Sequence, residues 1–105
     1  MLPSMRETVG VTMLEAMLAG CVPIVADNGG PRCTVTEECG FKIPVTTTKE
    51  MARQIAEIIV AIDRDRSILS VKGLAASTRV GTSFTAENYR KRVNAVYQTV
   101  AKEAY

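Results

Sequence analysis

The 105-residue chain has no histidine, no tryptophan and only 5% aromatic residues. Histidine is the commonest general base and a frequent metal ligand, so its absence excludes Ser-His and Cys-His nucleophile pairs and the usual zinc sites. The scarcity of aromatic side chains argues against a surface on which nucleic-acid bases stack. Several common enzyme classes are therefore excluded before any motif is considered.

The chain also lacks long apolar runs and a strong charge of either sign. No run reaches the roughly 18 residues that cross a bilayer, and no basic-then-apolar leader opens the sequence. The net charge of +2 does not predict nucleic-acid or anionic-membrane binding. The odd set of cysteines, Cys21, Cys33 and Cys39, predicts free thiols in a reducing compartment, and we expect a cytoplasmic protein.

What is present is ordinary globular composition, with 47% hydrophobic and 23% charged residues. A chain of this size buries about 65% of its unfolded surface, so it makes one domain at most. Glycine and proline break residues 1–47 into short pieces, whereas residues 48–105 read as almost continuous helix. We treat 1–105 as a single partial domain.

The first half predicts strand, helix, strand, turn and strand in that order, with three short parallel strands, which indicates an α/β fold. Met1–Pro3 reads as the end of a strand, and Val22–Ala26 as a strand buried on both faces. A third strand is expected at Phe41–Val45. Between the first two strands lies a helix that ends at Gly20, with an inner face of Val11, Leu14 and Leu18.

The second half predicts three helices in succession. The first has a capping-box pattern at Thr47 and Glu50, and the second covers about 65–79 and is closed by Gly81. The third is capped by Thr85, with a staple between Phe84 and Tyr89. The predicted inner face of the first of these helices consists of Met51, Ile55, Ile58, Ile59 and Ile62. That of the second consists of Ile68, Val71, Ala75 and Thr78. That of the third consists of Tyr89, Val93, Val96, Tyr97 and Val100.

Two acidic residues, Glu7 and Glu15, frame the first helix. Glu15 has no basic residue four positions away, so it either leans into solvent or accepts hydrogen bonds from a ligand. Thr8 is placed to cap this helix, and Gly10 lacks the Cβ that would keep a ligand from the backbone. Because ligands of open α/β sheets gather at the carboxyl ends of the strands, these residues and the turn at 28–31 are expected on one rim.

The residues around these acids resemble the signature of the retaining GT-B glycosyltransferases called group 1, or family four. Glu7 and Glu15 match the E-x7-E motif of that family. Residues 20–26 (GCVPIVA) are similar to its G-x-P-V-[IV]-A strand, 28–31 (NGGP) to its G-G-P turn, and 40–44 (GFKIP) to its G-[FL]-x-[VI]-P segment. Phe84-Thr85, with Tyr89 and Tyr97, looks like its closing helix. These landmarks follow in order over nearly the whole chain.

The resemblance implies a Rossmann-like donor-binding domain that takes a nucleotide-diphosphate-sugar, with no metal or other cofactor. Glu7 would be the catalytic residue that contacts hydroxyls of the donor sugar, and Glu15 would bind the ribose hydroxyls. Donor contacts would also come from Gly29 and Gly30. The backbone amides that would hold the diphosphate are those around Val9, Gly10, Val11 and Thr12, next to Thr8.

The chain departs from the family pattern in three respects. The family often has Glu-Gly-Phe-Gly where residues 7–10 read Glu-Thr-Val-Gly, and Arg32-Cys33-Thr34 replaces the acid that commonly follows the Gly-Gly turn. The acceptor-binding N-terminal domain and the basic pair that neutralises the diphosphate are also missing. We therefore expect a C-terminal fragment that is inactive alone. For the full-length enzyme, a peripheral location at the cytoplasmic face of the membrane is an open alternative to a purely cytoplasmic one.

Two other hypotheses remain open. The chain could be a non-catalytic module that binds nucleotide weakly or associates with a separate N-terminal partner, and an open sheet edge would then favour self-association. Alternatively, an unrelated α/β domain with a chance motif match would leave Glu15 exposed and Glu7 far from Gly29 and Gly30.

Overall fold

The computed structural model describes residues 1–4, 6 and 8–104. The elements in chain order are α1 (Val11–Leu18), β1 (Ile24–Ala26), α2 (Gly29–Thr34), β2 (Phe41–Ile43), α3 (Thr48–Arg64), α4 (Ser67–Ser83) and α5 (Ala86–Ala104). Strands and helices alternate in the first half and helices follow in the second. The predicted α/β class is therefore confirmed.

A narrow parallel sheet forms the centre of the first half. β1 and β2 pair in parallel through residues 24–26 and 41–43. On the other side of β1, Leu2 forms a parallel bridge with Val25, and its N–H donates to the carbonyl of Ile24 at 2.8 Å. Each crossover contains a helix, α1 or α2, because parallel strands cannot be joined by a tight turn.

Both paired strands are shorter than the sequence predicted. The predicted strand 22–26 contracts to β1, and the predicted strand 41–45 contracts to β2. A proline lies at each boundary, Pro23 before β1 and Pro44 after β2, and proline has no N–H to donate to a ladder. Pro23 still accepts a hydrogen bond, because the N–H of Phe41 donates to its carbonyl at 2.9 Å.

The side chains of β1 alternate between two apolar clusters, one on each face of the sheet. Val25 belongs to the cluster with α1 and α4, whereas Ile24 and Ala26 belong to the cluster with α3. The first cluster contains Met13, Met17, Val25, Val35, Cys39, Ala76 and Val80, and the second contains Ile24, Ala26, Ile43 and Met51. The sheet is thus covered on both faces, as parallel sheets are.

The buried face of α1 differs from the prediction. Met13 and Met17 are buried, whereas Val11 and Leu18 are 60% and 56% exposed and Leu14 is half-buried. Apolar side chains occupy most positions of this helix, so their spacing could not fix which face turns inward. α4 packs against the side that carries Met17, and that contact decides the orientation.

The segment predicted as a turn at residues 28–31 forms the start of α2 instead. Pro31 is the third residue of this helix. A proline is tolerated there because the first turn of a helix has no intrahelical acceptor for its N–H groups. The turn chemistry of two glycines and a proline was therefore a misleading signal.

α3 begins as predicted. The Oγ1 of Thr47 accepts a hydrogen bond from the Glu50 N–H at 3.2 Å, which confirms the N-cap. Met51 is buried in the second cluster, and Ile59 is exposed at the edge of the predicted face. The half-buried residues that complete this face are Ile55, Ile58 and Ile62.

The predicted inner face of α4 is confirmed only in part: Ala75 packs half-buried against the first cluster, and Ile68 is also half-buried. Val71 is 70% exposed and Thr78 is exposed, while Gly73, Ala76 and Val80 are buried. Gly73, Ala76 and Val80 therefore face the core, whereas Val71 and Leu74 are exposed.

Two glycines of α4 occupy informative positions, and one of them departs from the prediction. A Cβ on Gly73 would lie 2.4 Å from the carbonyl oxygen of Gly20, so this glycine lets the end of α1 approach the α4 backbone. Gly81, predicted to close the helix, lies inside it, and α4 continues to Ser83.

α5 has the predicted cap but no buried face. The Asn88 N–H donates to the Oγ1 of Thr85 at 3.2 Å, whereas none of the nineteen residues of α5, all described, is buried. Tyr89 is 72% exposed, so the predicted staple with Phe84 does not bury it, and the Phe84 ring lies against the guanidinium of Arg79. Among the described residues, no helix is long and apolar enough to span a membrane.

Candidate functional site

The candidate site is the rim at which the parallel segments reach their carboxyl ends. Leu2, β1 and β2 run in one direction, so the residues that follow them emerge at the same edge. These are the segments leading to α1, from β1 into α2, and from β2 to α3. In open α/β sheets this edge is where ligands bind.

A direct backbone contact joins the first two of these segments. A Cβ on Gly30 would lie 1.9 Å from the carbonyl oxygen of Thr8 and 2.9 Å from the Cα of Val9. No side chain fits in that space, so the contact requires glycine at position 30. The predicted proximity of the loop before α1 and the Gly-Gly segment is therefore confirmed, while their role in ligand binding stays a prediction.

Gly10, not Thr8, occupies the N-cap position of α1. Its φ of +74° lies in the left-handed region, which glycine adopts without strain. A Cβ here would lie 3.2 Å from Leu2 and 3.6 Å from Pro31, so the missing side chain makes room for the protein's own apolar atoms rather than for a ligand. The expectation that Thr8 is the N-cap is thus corrected, and the contact of the Gly10 backbone with a ligand stays a prediction.

The first turn of α1 retains the features of an anion site. Its N–H groups, including those of Val11 and Thr12, have no acceptor within the helix, and the helix dipole places partial positive charge there. Both side chains are exposed, and residues 11–14 contain no acid. This geometry is compatible with the predicted diphosphate contacts.

Glu15 lies one turn further along the exposed side of α1. It is exposed, four residues after Val11 and three after Thr12, which places the three on neighbouring positions of the helix surface. Glu15 therefore faces solvent, as the first of the two alternatives predicted, and its contact with a ligand stays a prediction. The other acid of the motif, Glu7, lies outside the described residues.

Asp27 is a rim residue that the sequence reasoning missed. It follows β1 directly, and its N–H donates to the Ile43 carbonyl at 2.7 Å. Its Oδ1 is buried without a hydrogen-bond partner among the described residues, and the Arg32 Nε lies 3.3 Å away without hydrogen-bond alignment. An acid directly after a fully apolar strand was the signal that could have revealed it.

The described residues also form a partly enclosed cavity. It has a volume of about 160 Å³ and an apolar lining, and it opens between α1 and the edge of the sheet beside Leu2. Met13, Met17 and Cys21 are among its walls, whereas Glu15 and Gly30 are not. Thr12 of the first turn of α1 is also among its walls, so the cleft adjoins the rim at that residue.

No metal centre is formed by the side chains that the structure describes. Within residues 1–4, 6 and 8–104, no three acidic or cysteine side chains are grouped so that they could hold an ion. Cys21 and Cys33 are exposed thiols, and Cys39 is a buried one. The expectation that no metal is required stays a prediction.

Comparisons with known proteins agree with this geometry. Residues 1–67 match the family described as glycosyl transferases group 1. The chain is 33% identical over 84 residues to a sucrose synthase of Thermosynechococcus vestitus, covering 79% of this chain and 10% of that protein. It is 28% identical over 92 residues to sucrose synthase 6 of Oryza sativa subsp. japonica, covering 87% and 11%.

The covered parallel sheet and the glycine contact at its rim define a partial Rossmann-like domain of the GT-B type. The chain belongs to the group 1 glycosyl transferases. The hypothesis of a chance motif match is thereby wrong, although the exposure of Glu15 that it expected is observed. The chain spans about a tenth of the length of the curated relatives it matches.

Proposed function

We propose that this chain is the donor-binding part of a retaining glycosyltransferase that takes a nucleotide-diphosphate-sugar and transfers the sugar to an acceptor. The single observation that carries the proposal is the backbone contact of Gly30 with Thr8, which joins two family segments at the rim. Both matched relatives are named sucrose synthases, which supports transfer of a hexosyl group.

The proposed diphosphate contacts follow from the electrostatics of α1. The departing nucleoside diphosphate gains negative charge as the bond to the sugar breaks. Amides at a helix N-terminus, including those of Val11 and Thr12, stabilise such charge without reorganising. The diphosphate would lie beside Thr8, Val9 and Gly10.

The two acids of the motif would take different parts of the donor. Glu15, on the exposed side of α1, would accept hydrogen bonds from the ribose hydroxyls. Glu7 would contact hydroxyls of the donor sugar as the catalytic residue. Gly29 and Gly30 would keep the backbone after β1 close enough to complete the donor site.

The acceptor site would belong to parts of a longer protein. The matched region is about a tenth of each relative, so we expect no transfer by the chain alone, and transfer once a separately produced N-terminal half is added. The open sheet edge beside Leu2 favours the second candidate, an association module. A stable homodimer without nucleotide binding would support that candidate instead.

Titration calorimetry with ADP, UDP and GDP tests the donor site, with Glu15→Ala as the variant. A charged hydrogen-bond acceptor contributes about 1.5–3 kcal/mol, so Glu15→Ala should weaken the tightest nucleotide at least about tenfold. Glu103→Ala removes an exposed acid from α5 and serves as the control. Binding that is equally tight in both variants would show that the ribose assignment is wrong.

A further inference from the structure

Arg79 of α4 forms a two-pronged contact with the end of α2. Its Nε donates to the carbonyl of Thr34 at 2.6 Å, and its Nη2 donates to the carbonyl of Cys33 at 3.1 Å. The last carbonyls of a helix have no intrahelical donors, so Arg79 satisfies two of these acceptors in α2. The planar guanidinium fork makes both bonds at once, which a lysine ammonium reproduces less well.

α2 needs such support because it is short. A helix of six residues is not stable by itself in water, so contacts with the rest of the protein must hold it. Arg79 is 45 residues away from Thr34 in the chain, and its guanidinium also lies 5.4 Å from the centre of the Phe84 ring. The carbonyls at the end of α2 and the Phe84 ring therefore hold the Arg79 side chain in position.

The same short helix reaches the rim at its other end. The buried Thr34 donates from its Oγ1 to the carbonyl of Gly30 at 3.1 Å, and the Val35 N–H donates to the carbonyl of Pro31 at 3.0 Å. Gly30 in turn lies against the Thr8 carbonyl. A continuous path of hydrogen bonds and backbone contact thus leads from Arg79 to the loop before α1.

We propose that Arg79 is a positioning residue for the rim. It anchors α2 and so holds Gly30 against Thr8 and Val9, without touching the ligand itself. The part of this inference that concerns ligand affinity rests on the function proposed above.

Lys72 provides a matched comparison on the same helix. Its Nζ donates to the carbonyls of Glu37 and Gly40, and it lies 4.7 Å from the centre of the Phe41 ring. Lys72 therefore holds the loop after α2, two helical turns before Arg79, and makes no contact of this kind with α2. Arg79→Met and Lys72→Met remove one cation each and keep much of the aliphatic stem.

Amide hydrogen exchange and amide chemical shifts of the full 105-residue chain test the proposal. In Arg79→Met, exchange at Val35 should rise about tenfold, as expected for the loss of one or two hydrogen bonds, while exchange at Leu14 in α1 stays unchanged. The Thr8 and Val9 amide signals should shift in the same variant. In Lys72→Met, the faster exchange should instead appear at Gly40.

Ligand affinity is the second readout, with ADP, UDP and GDP as probes. Arg79→Met should weaken the tightest of the three about fivefold to tenfold, Arg79→Lys should weaken it less, and Lys72→Met should leave it unchanged. Unchanged Val35 exchange, unshifted Thr8 and Val9 signals, equal acceleration at Leu14, or unchanged affinity in Arg79→Met would overturn the proposal. If the unaltered chain binds none of the three nucleotides, the proposed function fails, and the Thr8 and Val9 shifts still decide the role of Arg79.

Discussion

α4 and α5 are helices of nearly equal length, 17 and 19 residues, but only α4 contributes buried residues to the core. α4 packs into the first cluster through Gly73, Ala76 and Val80, whereas α5, described in full, has no buried residue. Yet α5 carries the more regular apolar stripe. The residues of that stripe are Tyr89, Val93, Val96, Tyr97 and Val100.

The difference teaches that close backbone approach, not apolar spacing alone, decided which helix joined the core. Gly73 leaves the space into which the Gly20 carbonyl fits, and Ala76 beside it has no exposed surface. The larger side chains of α4, such as Val71 and Leu74, are about 70% exposed. The apolar stripe of α5 shows that helical spacing predicts a helix correctly but does not indicate whether another element packs against it.

The largest effect is expected from a methyl group added to α4 where it meets α1. Gly73→Ala would place a Cβ 2.4 Å from a backbone carbonyl, which forces the two helices apart and should lower the free energy of unfolding by about 3 kcal/mol. Gly81→Ala is the same change in open space within the same helix, and should raise it by about 0.5–1 kcal/mol. Urea denaturation measures both, and effects of equal sign would refute the close approach.

The same valine-to-alanine substitution in each helix tests the difference in burial between α4 and α5. Val80→Ala in α4 removes buried carbon atoms and should cost about 2 kcal/mol, including the cavity it leaves. Val96→Ala in α5 changes a residue that is 64% exposed, so the free energy of unfolding should stay within about 0.5 kcal/mol. A similar cost for both in urea denaturation would mean that the α5 stripe is covered in solution.

The smallest effect concerns a charged pair on α3, a helix between these extremes. Hydrogen bonds from Arg53 and Gln54 lower the pKa of Glu50 from 4.5 to about 2. Because the folded-state pKa is the lower one, this contribution is complete above about pH 4.5 and is lost as the pH falls towards 2. The pair is exposed, so the effect is small.

Glu50→Gln should therefore flatten the dependence of stability on pH between about 4.5 and 2. Thermal unfolding at pH 6 and pH 2.5 measures it. Glu87→Gln, which removes one acid from an exposed pair with Lys91 on α5, is the control for loss of a charge. An unchanged pH profile in Glu50→Gln would contradict the assignment of the lowered pKa.

Local chemistry was the part of the fold that sequence reasoning predicted well. The caps at Thr47 and Thr85 depend on a side-chain oxygen and an N–H three residues later, and both form. β1 was recognised because an uninterrupted apolar run suits a strand with both faces covered. The rim was expected because parallel strands share one edge, and the Gly30 contact with Thr8 lies there.

Most of the misses have one cause in common. The inner faces of α1 and α4 depend on which helix packs against which, and the local pattern around Met17 and Gly73 does not identify the packing partner. Arg79 was missed for the same reason, because its partners Thr34 and Cys33 are distant in the chain. Asp27 differs, because its partner Arg32 is close in the chain and an acid directly after an apolar strand was a local signal.

The sequence by itself determined the alternation of strand and helix around β1, the caps at Thr47 and Thr85, and the family motifs around Glu15, because these depend on neighbours within a few residues. Only the tertiary structure decided that α1 turns Met17 inward, that α2 is anchored by a residue 45 positions away, and that no residue of the α5 stripe is buried. The physical reason is that a residue is buried only when another element packs against it, and a local sequence pattern describes one of the two packed surfaces but not the other.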